Sequence, residues 1–585
     1  MDTRGASVST SMSEMTIDAA HPGAAATPVD HSLTLPSRPW RRWTTPWSAI
    51  REHAYKGSGT EIDPFVVDWL PNDVEDPYNY SVGYKWTCTL IAATGTLAVT
   101  MGSSSLSGAI HGIKAEFPGY NNMVYIMVTG IYLGGFVLGP FVWAPMSEVY
   151  GRRMVYVVTM APFTALCAGL CGSPTITALL VLRFFAGTFG CSSMTNAGGL
   201  ISDMFRAKDR GLAMGVFGAM PWLGPALGPI VGGFLSPISW RWAGAVVAIF
   251  AGILALLHLV FLPETYAPVL LRQRANTLSA ETGQVYRCVY DAAKPFSTRE
   301  LIKTQLKVPF ILLFTEPIVF VLSLYLACIF SILYLQFTSF PIVFQGERHW
   351  SPGISSLAFL GTSIGCNVAL LYMVFWGNPA YAKSLKQKGY LQPEARLPSA
   401  ISGALLIPVG LFIFAWTCSP TRIPWIISIL ATVPFGGGMV LVFLACTNYL
   451  VDAYLPTAAS VLGASTVTRS IMAVVLPLFT VDMYDALGVN WASSVCAFIS
   501  LAFVPVPFLL IAYGPRIRRM TKHGREADDH GLEIAASRAA AIAANPEADV
   551  DANEKWGTVG EDVRTPIHEI EDPVSQNARA QAPGH

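Results

Sequence analysis

Gly224-Pro225-Ala226-Leu227-Gly228-Pro229-Ile230-Val231-Gly232-Gly233 lies within a long apolar run between Gly211 and Leu235. Read as a helix, it sets Gly224, Gly228 and Gly232 on one ridge, a smooth stripe along which a second helix backbone can lie closely. Pro225 and Pro229 flank the stripe. A proline inside a helix removes a backbone donor at a cost of about 3 kcal/mol, so a soluble helix rarely carries two in adjacent turns. In a membrane, neighbouring helices satisfy the freed backbone groups, and the stretch reads as a transmembrane helix. Two roles fit it: a helix-packing motif with no further function, or a bent, closely packed hinge or seal in a transporter.

The whole chain agrees with a membrane class. Apolar residues make up 52% and charged residues only 13% of 585 residues, too apolar and too long for one buried core, so the expectation is an all-α polytopic membrane protein. Lys plus Arg equals Asp plus Glu, 38 of each, which leaves no net charge to attract a nucleic acid. Ten cysteines occur without a CxxC pair, which argues against a disulfide framework and against a metal site. No GxxxxGK[ST] run and no clustered His, Asp and Ser appear, so neither ATP-driven pumping nor a membrane-embedded enzyme is expected, and no cofactor is implied.

Apolar runs of about 20 residues, the length that crosses a hydrocarbon core, fall near 86–110, 123–145, 154–172, 175–203, 211–235 and 242–263, then near 316–344, 354–376, 399–418, 424–449, 457–482 and 491–513. These are about twelve spans in two six-helix bundles, residues 85–263 and 316–514. Residues 1–84 are polar, rich in Ser, Thr, Ala and Pro, and read as a disordered tail; 264–315 reads as a charged central loop with surface helices; 515–585 reads as a mostly disordered tail with a short Ala-rich helix around 531–544. Basic residues cluster in alternate loops, among them Arg152-Arg153, Arg206/Lys208/Arg210 and Arg516/Arg518/Arg519. The positive-inside rule then places both termini in the cytoplasm.

Three motifs carry a family resemblance. Ala144-Pro145-Met146-Ser147-Glu148-Val149-Tyr150-Gly151-Arg152-Arg153 resembles the major facilitator loop signature, with Glu148 where aspartate is usual. Arg183-Phe184-Phe185-Ala186-Gly187 is similar to the fourth-span RxxQG pattern, with alanine for glutamine. The opening stretch resembles the fifth-span GxxxGPxxGG signature of antiporters. Pro263-Glu264-Thr265-Tyr266-Ala267-Pro268, Glu316-Pro317, Trp350-Ser351, Asn448 to Tyr454 and Arg469-Ser470 extend the resemblance to the fungal twelve-span drug:H+ antiporters, over roughly 75 to 520.

That resemblance implies the major facilitator fold with alternating access, and a proton-coupled exporter of small molecules. It implies a cytoplasmic gate of Glu148, Arg152 and Asp203, and an antiporter motif of Gly224, Pro225, Gly228, Pro229, Gly232 and Gly233. It also implies a proton-coupling or substrate role for Arg183. Independently, an arginine inside a span costs at least about 2.5 kcal/mol to insert, so it should face a cavity or a partner; neighbouring carbonyls that lock helices together are the alternative. Arg469 in the eleventh span reads mainly as structural. Tyr132, Phe136, Met194, Tyr325, Tyr334, Gln336 and Asn448 are the expected cavity residues, aromatic and soft, suiting an amphipathic, neutral or weakly charged molecule.

No carboxylate lies near the middle of a span, so proton coupling rests on the resemblance. The expected cargo is a xenobiotic or a secondary metabolite such as a glycolipid. The alternatives are an uptake permease for a nutrient or organic acid, a polyamine exporter, and a receptor that moves nothing. The expected setting is a monomer in the lipid bilayer of the plasma membrane, or else of the vacuole.

Overall fold

The computed structural model describes residues 45–291, 298–381, 383, 393–419 and 423–529. The expected 1–44 part of the N-terminal tail and the Ala-rich helix at 531–544 lie outside these residues. Six long helices form the first bundle: Val82–Ser104, Asn122–Tyr150, Arg152–Cys171, Ile176–Met204, Ala207–Leu235 and Arg241–Phe261. They are the first to sixth spans. The second bundle holds Pro317–Phe340, Phe359–Tyr372, Leu397–Thr417, Trp425–Ala453, Ala458–Val475 and Thr480–Ala502, and ends in Pro505–Met520.

Among the described residues, ten helices are long and apolar enough to span by composition alone. One of them, Ala458–Met520, would be about 95 Å long if straight, and a bilayer core is about 30 Å thick. Gly488, at φ +72°, breaks it into the eleventh and twelfth spans. Val82–Ser104 supplies the remaining span of twelve. Its threonines and serines lower its hydropathy, yet they cost little because they bond back to the helix: Thr89 donates to the Lys85 carbonyl at 2.8 Å and Thr100 to that of Thr96 at 2.9 Å. Apolar side chains such as Ile249, Ile253 and Leu256 remain on the outer surface, as a lipid-facing wall requires.

Within the first bundle the second span packs on the fourth and the first on the fifth; between the bundles the second span meets the eleventh and the fifth meets the eighth. The first span is offset from the expected 86–110. It ends at Ser104 and is followed by a tight turn and the short helix Ile110–Glu116.

The disorder expected up to residue 84 is not what residues 45–84 show. Trp47–Glu52 is helical, and strand β1, Phe65–Val67, pairs in parallel with strand β2, Tyr286–Cys288, from the central segment. Helix Ala267–Thr282 packs on this pair through Leu271, Ala275 and Leu278, which bury Ile50, Val67 and Cys288. Arg274 ties the strap down, at 2.7 Å from Asp73 Oδ2 and 2.7 Å from Glu75 Oε2, over the ring of Trp69. Burial pushes the Asp73 carboxyl up, but the bonds from Arg274 and Thr45 outweigh it and hold it below its usual range. The polar composition misled because the strap draws its apolar partners from a segment some two hundred residues later. The central segment also contains helix Thr298–Thr315, whose Phe310 stacks on Phe141 of the second span at 5.7 Å.

Candidate functional site

At the end of the bundle where the second span turns into the third, Arg152 is buried among fixed partners. Its Nε lies 3.2 Å from Asp203 Oδ2, its Nη1 donates to Ser147 Oγ at 2.6 Å, and its guanidinium covers the ring of Tyr266. Glu148 adds its charge to the same field. Gly151 makes the corner, at φ +96°, and a Cβ there would sit 2.5 Å from the Glu264 carboxyl carbon. Glu264 is the member that sequence reading missed. Its oxygens accept the backbone N–H groups of Arg152 at 2.8 Å, Arg153 at 3.1 Å, and Thr265 and Tyr266 at 3.0 Å. Burial raises its carboxyl above the usual range against the pull of those N–H groups. Its place directly after an apolar span, in Pro263-Glu264-Thr265-Tyr266, was the available signal. Arg152 thus contacts the second and fourth spans and the segment that follows the sixth.

The second bundle carries a counterpart at the same end. Arg396 lies 2.9 Å from Asp452 Oδ2, to which Tyr381 also donates at 2.8 Å. Arg518 pairs with Glu394 and with Asp528 and donates to the Tyr449 hydroxyl at 3.0 Å, while Tyr454 donates to Glu316 at 3.0 Å. The Asn448 to Tyr454 run thereby acquires a reason: Tyr449, Asp452 and Tyr454 face three different charged partners.

The glycine ridge packs on the first span, not on a helix of the other half. A Cβ on Gly224 would lie 2.8 Å from the Met101 nitrogen, one on Gly228 2.6 Å from the Met101 carbonyl oxygen, and one on Gly232 would overlap the Ser105 carbonyl. The prolines are accommodated by the same neighbour. Pro229 has no N–H to offer the Pro225 carbonyl, and Ser104 Oγ supplies a bond to it at 3.1 Å. Gly233 alone turns to the second bundle, where its Cβ would lie 2.6 Å from the Pro352 carbonyl oxygen.

Two arginines lie deep in the bundle. Arg183, 1% exposed, donates from Nε to the Val128 carbonyl at 2.8 Å, from Nη1 to Gly102 at 2.6 Å and from Nη2 to Ser103 at 2.7 Å, with Tyr132 under its plane. It locks the first, second and fourth spans through carbonyls. Arg469, 5% exposed, lies over the rings of Phe330 at 4.9 Å and Phe443 at 5.0 Å.

Above them, a cavity of about 410 Å3 lies between the halves, at the end opposite the ionic clusters. Thr129 and Gly130 of the second span, Tyr334 and Phe337 of the seventh, and Ala473 of the eleventh line it, with Lys114 toward its mouth. Of the expected cavity residues, Tyr334 takes this position. Tyr132 is buried with its hydroxyl on the Val99 carbonyl at 2.8 Å, and Phe136 packs beside it. Met194 packs on the core, and Tyr325 stacks on Phe503 at 5.0 Å. Gln336 is buried in the seventh span, and Asn448 is half-buried near the ionic end of the tenth. Aromatic content marked these residues, but helix rotation, which decides cavity against core, was not readable from runs apolar all round.

The family profile described as Major Facilitator Superfamily matches residues 92–477. The MFS-type efflux pump MFS2 of Trichophyton rubrum is 48% identical over 495 residues, covering 84% of this chain and 83% of that protein. The major facilitator superfamily multidrug transporter mdrA of Aspergillus fumigatus is 48% identical over 482 residues, covering 82% and 79%. The efflux pump FUB11 of Gibberella moniliformis is 44% identical over 504 residues, covering 85% and 84%. In fold, the chain is similar to the proton:xylose symporter XylE, with a TM-score of 0.52 at 17% identity over 72% of this chain and 96% of that one. The motifs, the paired bundles and these relatives agree: the chain is an integral membrane transporter, not an enzyme, and it belongs to the Major Facilitator Superfamily.

Proposed function

We propose that the protein exports amphipathic small molecules, xenobiotics or a secondary metabolite of its own cell, by alternating access driven by inward protons. The observation that carries this reading is the cavity of about 410 Å3 between the halves, walled by Tyr334, Phe337, Ile342 and Ala473, with none of the ionic-cluster residues in its lining. A site of this size and lining binds by apolar area, with a few polar groups for orientation. The relatives named as efflux pumps and a multidrug transporter support the outward direction. With both termini in the cytoplasm, the cavity faces outward and the clusters around Arg152 and Arg518 lie on the cytoplasmic side. The plasma membrane is the compartment in which such a pump clears a cell, and the monomer holds both halves of the pathway.

The test is expression of the full chain in a yeast strain stripped of its own drug pumps, with retention of amphipathic dyes and a toxin panel measured with and without a protonophore. Lower retention that the protonophore abolishes is expected. Unchanged retention and sensitivity would sink export, and protonophore-insensitive efflux would sink proton coupling.

A further inference from the structure

Arg183 and Arg469 are equally deep and differently satisfied. Each guanidinium lies near the Tyr334 hydroxyl, within reach of its field. Arg183 has three carbonyls on its three nitrogens. Arg469 lies over the rings of Phe330 and Phe443, and its buried Nε meets no acceptor. Among the described residues no carboxylate pairs with it; the ionisable side chains around it are Cys191 and Tyr334.

A buried cation without a counter-ion is strongly unfavourable, and aromatic faces offset only part of that. A planar guanidinium fork binds a carboxylate through two parallel N–H bonds, and the Arg469 Nε that could give one of them has no acceptor.

The cavity supplies a second, independent sign. Ala473, one helical turn from Arg469 on the same face, lines its wall, as does Tyr334, whose hydroxyl feels both arginines. Lys114 and His111 line the cavity and, among the described residues, no Asp or Glu does. An anion in the cavity therefore meets Lys114 and His111 and no opposing carboxylate, with the unpaired guanidinium one helical turn from the Ala473 wall and near the Tyr334 hydroxyl.

We infer that Arg469 is the recognition site for a carboxylate, and that the cargo includes organic anions with an aromatic or aliphatic body, the body lying in the cavity against Tyr334 and Phe337. This rests on the export reading only in calling the ligand cargo. It narrows the expectation of a neutral or weakly charged molecule, which followed from counting aromatics without knowing that one of two deep arginines lacks acceptors.

The experiment measures binding of 2-naphthoate and of 2-naphthamide to the purified full-length protein at pH 7 by calorimetry. The two probes share a body and differ in the anionic group. The acid is expected to bind at least tenfold more tightly than the amide, and Arg469→Gln to bring that ratio near one. A purely structural Arg469 would weaken both probes together and leave the ratio intact. Should Arg469→Gln fail to fold, Arg469→Lys decides, because it keeps the charge and loses the fork: a fall of threefold or more in the ratio supports the site, and an unchanged ratio overturns it. Equal affinity of the unaltered protein for both probes also overturns it. Binding is read without transport, so a failure of dye efflux leaves this result standing, and a ratio of one here leaves efflux standing.

Discussion

Ser103 of the first span and Tyr334 of the seventh share a hydrogen bond of 3.0 Å, and it joins the two halves across the floor of the cavity. Ser103 also gives its carbonyl to Arg183, so the contact is braced from behind. Tyr334→Phe keeps the ring and removes the bond, worth about 1 kcal/mol or about a fivefold shift between conformations. A cysteine placed at Thr338, which lines the cavity in this conformation, should alkylate more slowly, by up to about fivefold, in the Tyr334→Phe background. Native thiols interfere little, because all ten are buried apart from half-buried Cys171. An unchanged rate would show that the bond does not hold the floor.

Gly228 and Gly233 lie on one helix and address different halves, so alanine at each should fail differently. Gly228→Ala drives a methyl toward the Met101 carbonyl within the first bundle and is expected to cost about 1–3 kcal/mol of stability. Its measure is a lower melting temperature. Gly233→Ala strikes the Pro352 carbonyl of the second bundle and is expected to change the alkylation rate at position 338 as well as transport. Identical profiles for the two variants would refute the division.

The Arg152–Asp203 pair is buried on both sides. Arg152→Met alone leaves a carboxylate stranded, with an expected loss of about 3–5 kcal/mol, whereas pairing it with Asp203→Leu removes both charges and recovers much of that. Melting temperatures of the two single variants and the double variant measure the coupling. Strictly additive losses would mean that the two charges do not act as a unit.

Asp76 precedes the first span and caps a short turn by accepting the Tyr78 N–H at 3.0 Å. Burial, and then the charge of Asp73, pushes its carboxyl up to about 6. A raised carboxyl contributes stability that is complete below its unfolded value and lost as pH rises through about 6. Asp76→Asn keeps the cap and removes the charge, so its melting temperature should exceed that of the unaltered protein at pH 7.5, and the two should converge as pH falls toward 4. A constant difference across that range would mean that Asp76 is not the titrating group.

Much of the fold was legible because membrane spans are long apolar runs, and the length of a run is independent of what it packs against. Twelve spans and the paired bundles follow from such local signals, whereas the Arg152–Asp203 contact was implied by the family resemblance. What escaped depended on rotation or on distant pairing. Tyr132 and Tyr334 look alike in sequence, yet one bonds to Val99 inside the first bundle and the other floors the cavity. The glycine ridge was readable as a close-packing surface, but its partner, the first span, was not, since any smooth helix would serve. β1 was invisible because three residues carry no period, and only β2 completes it.

The β1–β2 pair has a consequence for how the protein is made. Its two strands bracket the first six spans, and both leave the ribosome before the seventh span does. At roughly 5–20 residues per second, β1 waits on the order of tens of seconds for its partner. When β2 arrives, the clasp closes around a complete first bundle, and the second is then synthesised against a finished wall.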